Sequence, residues 1–378
     1  MRIAIAKKLL SSVGGSELQA RLLGRALAER GHEVTLVGMR PPWRRPGIPS
    51  RATAAWSGAV EHRDGDVRIV FVPSRAGRIG AALDALLPIA LPDLDALARA
   101  LDGHDVVHCI AREWAGPIER IARRLGAGLV ETPLVHPGQR SSGADARDVA
   151  RYRRADGVIA LTDWEAEWYR SRGVARVHVT GVGPAIDAVR DVPPDPATIL
   201  FVGRKERYKG YHALRAAARI VWGERPDARF VAIGQRAWNG LLDGRSRDPR
   251  WVELGVVDER AKAEAYARAT VLAMPSEHET FGHTYLEAWS MGRPVIAGDI
   301  PPLREIVREG IDGLHAANEP RSIARAILRI LSDPDGARRM GEAGRARLLE
   351  RWTWPVIAER TERVYLSALG YRGPRCET

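Results

Sequence analysis

The sequence predicts an α/β protein with two domains, each built on a doubly wound parallel sheet. Its 378 residues exceed what a single hydrophobic core usually holds, so two domains are expected. Short apolar runs alternate with amphipathic helical segments, and this alternation stops once, at the proline-rich stretch 191–196, and then restarts. The apolar runs carry few polar residues, which is typical of parallel strands covered by helices on both faces.

The predicted elements fall into two series. The first predicted domain, 1–190, contains candidate strands at 2–6, 33–37, 67–72, 105–110, 128–132, 158–161 and 177–180. The second, 197–351, contains candidate strands at 198–202, 230–233, 251–254, 270–274 and 294–297. The remaining segment, 352–378, begins with aromatic residues and continues as an amphipathic helix.

Composition limits the setting and the partners. The net charge of +11 suits nucleic acid, anionic lipid or a phosphorylated substrate as a partner. No RNA-binding aromatic motif is present, so nucleic acid is the least favoured of these. Two cysteines, Cys109 and Cys376, are too few for a disulfide framework or a zinc site, so a reducing cytoplasm is expected. No apolar stretch approaches the roughly 20 residues that span a membrane.

The most informative segment is 275–299, which follows a candidate strand of the second domain. Glu279 and Glu287 have seven residues between them, and Gly282 marks the start of a helix. A helix start presents free N–H groups and the positive end of the helix dipole to an anion such as phosphate. The two carboxylates can accept hydrogen bonds from hydroxyls. The segment therefore predicts a site for an anionic ligand that carries hydroxyl groups.

Two cations follow the first strand of the second domain, in the loop 203–210. Arg204 and Lys209 are five positions apart and can bracket a diphosphate, stabilising its negative charge without a metal. Lys205 and Arg207 lie between them, and we assign both to the protein surface. A solvated basic loop is the alternative interpretation of this charge run.

The first domain offers a glycine pair and two histidines. Gly14 and Gly15 follow the first strand and open a helix, so the backbone there can approach an anion closely. His136 follows the strand 128–132, and His108 lies in the strand before it. A histidine at a strand end is often only a hydrogen-bonded core residue, so His136 is the better candidate and His108 the weaker.

These motifs together resemble glycosyltransferase family 4, the retaining glycosyltransferases of GT-B architecture. The resemblance rests on the two glutamates, on Phe-Gly at 281–282, on Gly-x-Pro-Val at 292–295 and on Gly-Arg-x4-Lys-Gly at 203–210. It covers nearly the whole chain. It implies two Rossmann-like doubly wound domains that face a cleft, with the helix of 352–378 crossing back to the N-terminal domain.

The resemblance also implies roles for these residues. The enzyme would move a sugar from a nucleotide-sugar donor, UDP-, GDP- or other, to a hydroxyl acceptor that is lipid-linked or small. Arg204 and Lys209 would hold the diphosphate, Glu287 the ribose and Glu279 the transferred sugar. The other implied donor contacts are the Gly14–Gly15 loop, the backbone of Phe281, Gly282 and His283, and the side chain of His136 near the sugar, with His136, Glu279, Arg204 and Lys209 as the catalytic set.

No metal or cofactor is expected. Three Asp-x-Asp triplets occur, at 64–66, 93–95 and 333–335, but none follows a convincing strand in a nucleotide-binding setting. Two other interpretations remain open. The same fold could serve a nucleotide-sugar epimerase or a phosphorylase, and an epimerase would turn over the nucleotide-sugar without any acceptor. A non-enzymatic basic protein would instead bind membrane or nucleic acid with a steep salt dependence.

The segment 40–51 suggests a peripheral membrane contact. It holds four arginines, four prolines and Trp43 but no acidic residue. Basic residues beside a tryptophan suit the surface of an anionic bilayer. A solvated loop at the cleft rim is the alternative. We therefore expect a cytoplasmic protein that could also sit peripherally at the inner face of the membrane.

Overall fold

The computed structural model describes residues 1–11, 14–41, 59–75, 77–86, 91–110, 112–137, 142–189, 192–236, 246 and 248–370. The chain divides into two compact units. Unit 1 consists of Met1–Val182 together with the C-terminal segment from Trp354, and unit 2 consists of Gly183–Thr353. The division by contacts thus falls before the proline-rich stretch 191–196.

Unit 1 is built on a sheet of eight strands in the order β3-β4-β2-β1-β5-β6-β7-β8. The strands are β1 Arg2–Ala6, β2 Glu33–Met39, β3 Val60–Asp64, β4 Val67–Val72, β5 Val106–Ile110, β6 Gly128–Thr132, β7 Gly157–Ala160 and β8 Val177–Val179. All pair in parallel except β3, which runs antiparallel to β4 at the sheet edge. The predicted parallel sheet is confirmed, with one antiparallel strand added at its edge.

Helices pack on this sheet through small and branched apolar side chains. They are α1 Gly15–Glu29, α2 Gly77–Leu86, α3 Leu94–Leu101, α4 Ala115–Leu125, α5 Ala146–Arg154, α6 Asp163–Arg170 and the C-terminal α13 Trp354–Ala368. Helix α13 lies against unit 1: Arg30 pairs with Glu362, and Tyr365 lies 2.8 Å from Nδ1 of His108. Buried Tyr365 and Val364 complete the core on that side.

Unit 2 has a fully parallel sheet of six strands in the order β11-β10-β9-β12-β13-β14. The strands are β9 Thr198–Val202, β10 Arg229–Ile233, β11 Trp251–Gly255, β12 Val271–Met274, β13 Val295–Gly298 and β14 Gly313–Ala316. The helices are α7 Tyr211–Glu224, α8 Glu259–Arg268, α9 His283–Ser290, α10 Pro301–Ile306, α11 Pro320–Ser332 and α12 Pro334–Arg351. The central strands β9, β12 and β13 are wholly buried, as their uniform apolar composition predicts, whereas the edge strand β11 is only partly buried.

The strand order of unit 2 fixes where a ligand site belongs. From β9 the chain passes to β10 on one side, and later to β12 on the other side of β9. The strand order therefore reverses between β9 and β12, and the loops after these two strands flank the point of reversal. Ligands of open α/β sheets bind at such switch points. Both predicted donor motifs of unit 2 occupy these two loops.

Two strands are absent from the sequence prediction. β3 carries charged residues and alternates between half-buried and exposed positions, so it lacks the apolar run used as a signal. β14 has only four residues. The Asp64–Asp66 triplet turns out to be the hairpin between β3 and β4, and Asp64 pairs there with Arg21 and Arg25.

In the part of the chain that is described, no helix is long and apolar enough to cross a membrane.

Candidate active site

The loop after β9 presents Arg204 to solvent. Its side chain is 62% exposed, and its guanidinium contacts Glu206 at 3.0 Å and the hydroxyl of Tyr208. A single 3-10 turn, Arg207–Lys209, then leads to Gly210 at the start of α7. Arg204 and Lys209 thus stand at either end of one short loop, as the sequence predicts.

Tyr208 lies between the two cations, and the sequence analysis missed it. The Arg204 guanidinium is 5.6 Å from its ring centroid and the Lys209 ammonium is 5.2 Å away. A ring face next to a cation contributes favourably, so Tyr208 helps to hold both charges. Burial raises the pKa of its hydroxyl to about 12, so the group stays protonated. The sequence signal that could have identified Tyr208 is its position directly before Lys209.

The loops after β9 and β12 are joined directly. The amide of Glu277 donates to the carbonyl of Tyr208 at 2.7 Å, and Lys209 Nζ forms an ion pair with Glu279 Oε2. Both side chains of this pair are about five-sixths buried, at 16% and 15% exposure. The structure therefore brings the predicted diphosphate ligand Lys209 and the predicted sugar ligand Glu279 into contact across the switch point.

The start of α9 lies beside this pair. Gly282 has φ +93°, and a Cβ atom there would come within 2.4 Å of the Tyr285 ring, so only glycine fits. The Tyr285 hydroxyl donates to the Met274 carbonyl at 2.7 Å and ties the helix to the end of β12. The amides of Gly282, His283 and Thr284 donate to no acceptor among the described residues. These amides are therefore open to an acceptor, and the binding of an anion there stays a prediction.

Glu287 lies inside the unit, one helical turn further along α9. It is 2% exposed, and its two oxygens accept hydrogen bonds from Lys262 Nζ at 2.8 Å and from the Tyr266 hydroxyl at 2.6 Å. Both donors lie on α8, four residues apart and so on one face. The sequence analysis did not find either residue. Burial is the main cause of a raised pKa at the Tyr266 hydroxyl, and the charge of Glu287 raises it further. This hydroxyl therefore stays protonated and remains a donor.

The remaining predicted contacts of unit 2 differ in accessibility. The Phe281 side chain is 1% exposed and packs edge-on against Trp352, so only its backbone can reach a ligand. His283 Nδ1 lies 2.9 Å from the carbonyl of Gly183. Burial lowers the pKa of His283, so the ring is neutral, with its proton on Nδ1 and an acceptor at Nε2.

The assignment of Lys205 to the surface is wrong. Lys205 is 3% exposed and donates to Glu253 on β11 at 3.2 Å. Glu253 also accepts from the Tyr211 hydroxyl at 2.6 Å and from Arg236. Burial alone would raise the pKa of Glu253, but these hydrogen bonds outweigh burial and lower it to about 2. This cluster anchors the loop 203–210 to the neighbouring strands, whereas Arg207 is exposed as predicted.

Gly14 and Gly15 lie in unit 1, after β1 and at the start of α1, and both are exposed. No side chain caps this helix start. Glu17 in the first turn accepts hydrogen bonds from the backbone amide and the hydroxyl of Ser11. The carboxylate of Glu17 thus lies close to the predicted anion site. Its presence was not taken into account when the site was predicted from the sequence. The role of the glycine pair stays a prediction.

The two histidines of unit 1 have different surroundings. His136 is half-buried in the loop after β6, at the same carboxyl edge of the sheet as the loop after β1. His108 is 1% exposed and bridges Tyr365 at 2.8 Å and Thr132 at 2.7 Å. Burial lowers its pKa to about 3. His108 is therefore a neutral core residue that links β5, β6 and α13.

The structure describes only the start of the predicted membrane segment 40–51, and it gives the remaining acidic triplets a capping role. Residues 42–51 of the predicted contact lie outside the described residues, and Arg40 at its start is 2% exposed rather than free at the surface. Asp93 and Asp333 cap helices by accepting from the amides of Ala96 and Gly336. Across the described ranges, no group of three or more His, Cys, Asp or Glu residues is arranged to hold a metal ion.

Two family models match most of the chain. The model described as "Glycosyl transferase 4-like domain" matches residues 14–185, and the model described as "Glycosyl transferases group 1" matches residues 184–347. The boundary between them falls close to the division between the two units.

Relatives and solved structures agree. Glycogen synthase of Mycobacterium tuberculosis (strain CDC 1551 / Oshkosh) is 28% identical over 399 residues, covering 96% of this chain and 94% of the relative. D-inositol 3-phosphate glycosyltransferase of Thermobifida fusca (strain YX) is 30% identical over 309 residues, covering 70% of each. Sucrose-phosphate synthase from Thermosynechococcus elongatus superposes with a TM-score of 0.77 at 22% identity, over 98% of this chain and 100% of that one. Anabaena HepE in complex with UDP-glucose superposes with a TM-score of 0.74 at 17% sequence identity, over 96% of this chain and 99% of that one.

The fold is therefore that of the GT-B glycosyltransferases. The chain belongs to glycosyltransferase family 4 and is a glycosyltransferase that uses a nucleotide-sugar donor. This excludes the non-enzymatic alternatives and favours sugar transfer over the other reactions considered for the fold.

Proposed function

We propose that this enzyme transfers a sugar from a uridine nucleotide-sugar to a hydroxyl acceptor, with retention of anomeric configuration and without a metal ion. The observation that carries the proposal is the arrangement at the switch point of unit 2. There, Arg204, Lys209 and the unpartnered amides at the start of α9 supply positive charge at one sheet edge. HepE, a fold relative, is known in complexes with UDP and with UDP-glucose, which makes uridine the first choice of base.

The diphosphate would lie over the start of α9. Charge grows on it as the bond to the sugar breaks, and fixed cations and N–H groups stabilise that charge without a metal. Lys209 has three N–H donors, so it can hold Glu279 and a phosphate oxygen at the same time. Arg204 is exposed, and on binding it would exchange its contacts with Glu206 and Tyr208 for contacts with the phosphate.

Glu287 would bind the ribose. A carboxylate has about four acceptor positions, and Lys262 and Tyr266 occupy two of them. The other two can accept the vicinal hydroxyls of a ribose. Since both protein donors are already in place, the carboxylate is fixed before the nucleotide arrives, which lowers the entropic cost of binding.

The transferred sugar would meet Glu279, and His136 would have the role beside the sugar that the family resemblance implies. In the transfer, the bond between the anomeric carbon and the diphosphate oxygen breaks, and a bond to the acceptor oxygen forms on the same face. The acceptor proton passes to the leaving diphosphate oxygen. No covalent enzyme intermediate is required, so the residues act by positioning and by charge stabilisation.

The stereochemical outcome and the metal requirement are tested together. With UDP-glucose and a hydroxyl acceptor, proton NMR of the early product is expected to show the donor's anomeric configuration. Turnover in excess EDTA is expected to match the untreated rate, because the counter-charge comes from side chains and amides. An inverted product, or loss of turnover in EDTA that Mg²⁺ restores, would contradict the proposal. Turnover of the donor with no acceptor present would favour an epimerase.

We also propose a peripheral contact between unit 1 and anionic membranes, consistent with a lipid-linked acceptor and a cytoplasmic location. The basic segment with Trp43 supports it from the sequence, and exposed Ile79 and Leu83 on α2 add apolar surface at 75% and 44% exposure. Co-sedimentation with anionic vesicles at low salt is the test. We expect binding of the parent and weaker binding of an Arg44→Glu, Arg45→Glu double variant. Equal binding of both, or none by the parent, would reject the contact.

A further inference from the structure

A network of buried polar side chains lies behind the loop that carries His136. Glu165, near the start of α6, is 2% exposed. Its carboxylate accepts hydrogen bonds from the Leu161 amide at 2.8 Å, from the Tyr169 hydroxyl at 3.0 Å and from the Val135 amide at 3.3 Å. The first of these bonds serves the start of its own helix. The third reaches the loop after β6.

The network continues through aromatic side chains to the other flank of that loop. Tyr169 packs edge-on against Tyr152, with ring centroids 5.5 Å apart. The Tyr152 hydroxyl donates to the carbonyl of Gly143 at 3.0 Å. Gly143 has φ +85°, and a Cβ atom there would lie 2.7 Å from the Tyr152 oxygen, so a larger residue would displace this contact.

The loop segment held in this way has an unfavourable backbone. Leu134 has φ +58°, a left-handed conformation that costs a leucine on the order of 1–2 kcal/mol. Such a conformation persists only where neighbouring contacts fix it. The hydrogen bond from the next residue, Val135, to the buried carboxylate is such a contact. His136 follows directly in the chain.

We propose that Glu165, supported by Tyr169 and Tyr152, is a positioning residue that fixes the segment 133–137 and thereby the orientation of His136 towards the substrate. The buried carboxylate makes charge-assisted hydrogen bonds, which are stronger than those between neutral groups. Burial, and next the charge of Glu165, raise the pKa of Tyr169, so its hydroxyl remains a donor to the carboxylate. Helix capping alone does not account for the network, since it extends to Val135 and Gly143 on both flanks of the loop.

The inference rests on the proposed function, because it assumes that His136 contacts the transferred sugar. Its test therefore pairs a structural measurement with a kinetic one. The variants are Glu165→Gln, which removes the charge, and Tyr152→Phe, which removes only the bond to Gly143. Thr162→Ala is the matched control: it removes the N-cap of the same helix, which accepts from the Glu165 amide at 3.2 Å, and leaves the carboxylate in place.

The structural measurement is amide hydrogen exchange of the peptide that contains residues 133–137. We expect faster exchange in Glu165→Gln and in Tyr152→Phe than in Thr162→Ala at equal global stability. The kinetic measurement is kcat at saturating donor and acceptor. A displaced His136 is expected to lower kcat on the order of 10- to 100-fold, with the affinity for the product nucleotide unchanged. In a His136→Ala background, Glu165→Gln should lower kcat little further, because the group that it positions is gone.

Unchanged exchange in both variants would overturn the inference, and so would full kcat despite faster exchange. An equal loss of kcat in the parent and His136→Ala backgrounds would also overturn it, since the effect would then not pass through His136. Full activity of His136→Ala alone has a different meaning. It would reject the role proposed for His136 and with it the catalytic part of this inference, while the exchange data would still decide whether Glu165 fixes the loop.

Discussion

Replacing Lys209 by alanine is expected to abolish most turnover and to weaken the binding of the product nucleoside diphosphate. A charge-assisted hydrogen bond contributes about 1.5–3 kcal/mol, which corresponds to a loss of affinity of roughly 10- to 150-fold. The loss in kcat should be larger, on the order of 10²- to 10³-fold, because the diphosphate gains charge in the transition state. Removing Lys209 also leaves the carboxylate of Glu279 without its ion-pair partner.

The matched control for this prediction is Arg207→Ala. Arg207 lies in the same 3-10 turn, and removing it changes the net charge of the loop by the same amount. Its side chain is exposed, and the side-chain amide of Asn318 donates to its backbone carbonyl, which the substitution retains. Calorimetric titration with UDP, and initial rates, are the measurements. If Lys209→Ala binds UDP as the parent does, the assignment of the diphosphate site is wrong.

Replacing Glu287 by glutamine is expected to weaken nucleotide binding and also to lower stability. The amide keeps one acceptor oxygen for the ribose diol instead of two, and it cannot neutralise Lys262, whose side chain is only 17% exposed. Breaking a buried ion pair costs on the order of 3–5 kcal/mol. The loss of stability is expected because the contact with Lys262 is lost as an ion pair.

The ribose contact is isolated by comparing UDP with 2′-deoxy-UDP. Removal of the 2′-hydroxyl should weaken binding to the parent more than binding to Glu287→Gln. Adding Lys262→Met to the variant removes the uncompensated cation and should recover part of the melting temperature. Glu264→Gln, an exposed substitution on α8, the helix that carries Lys262, is the control and should behave as the parent. Equal penalties for the deoxy nucleotide in parent and variant would show that Glu287 does not contact the ribose.

The sequence predicts more of the donor site than of its supports, and the reason is physical. Arg204, Lys209 and Glu279 lie in loops at strand ends, where spacing along the chain determines position, so motif reading places them. Lys262 and Tyr266 act from a separate helix, and their contact with Glu287 depends on how α8 and α9 pack. No pattern within either helix reveals that contact.

The fold shows the same division. Uniform apolar runs identify the buried parallel strands to within a residue or two, because both of their faces are covered. The edge strand β3 has polar residues on its open side, so it lacks that signal, although Asp64-Gly65 between two strands is a hairpin motif. Lys205 illustrates the opposite error, because it was assigned to the surface as part of a run of charged residues. Its partner Glu253 lies on a strand 48 residues further along the chain, so the sequence around Lys205 does not reveal the contact.

The most direct test of the donor site is a crystal structure of the chain with bound UDP. We expect the diphosphate over the start of α9, with Lys209 Nζ and the amides of Gly282 and His283 within hydrogen-bond distance of its oxygens. We also expect both ribose hydroxyls on the Glu287 carboxylate, with Lys262 and Tyr266 still in place behind it. A nucleotide bound away from the loops after β9 and β12, or a ribose that makes no contact with Glu287, would contradict it.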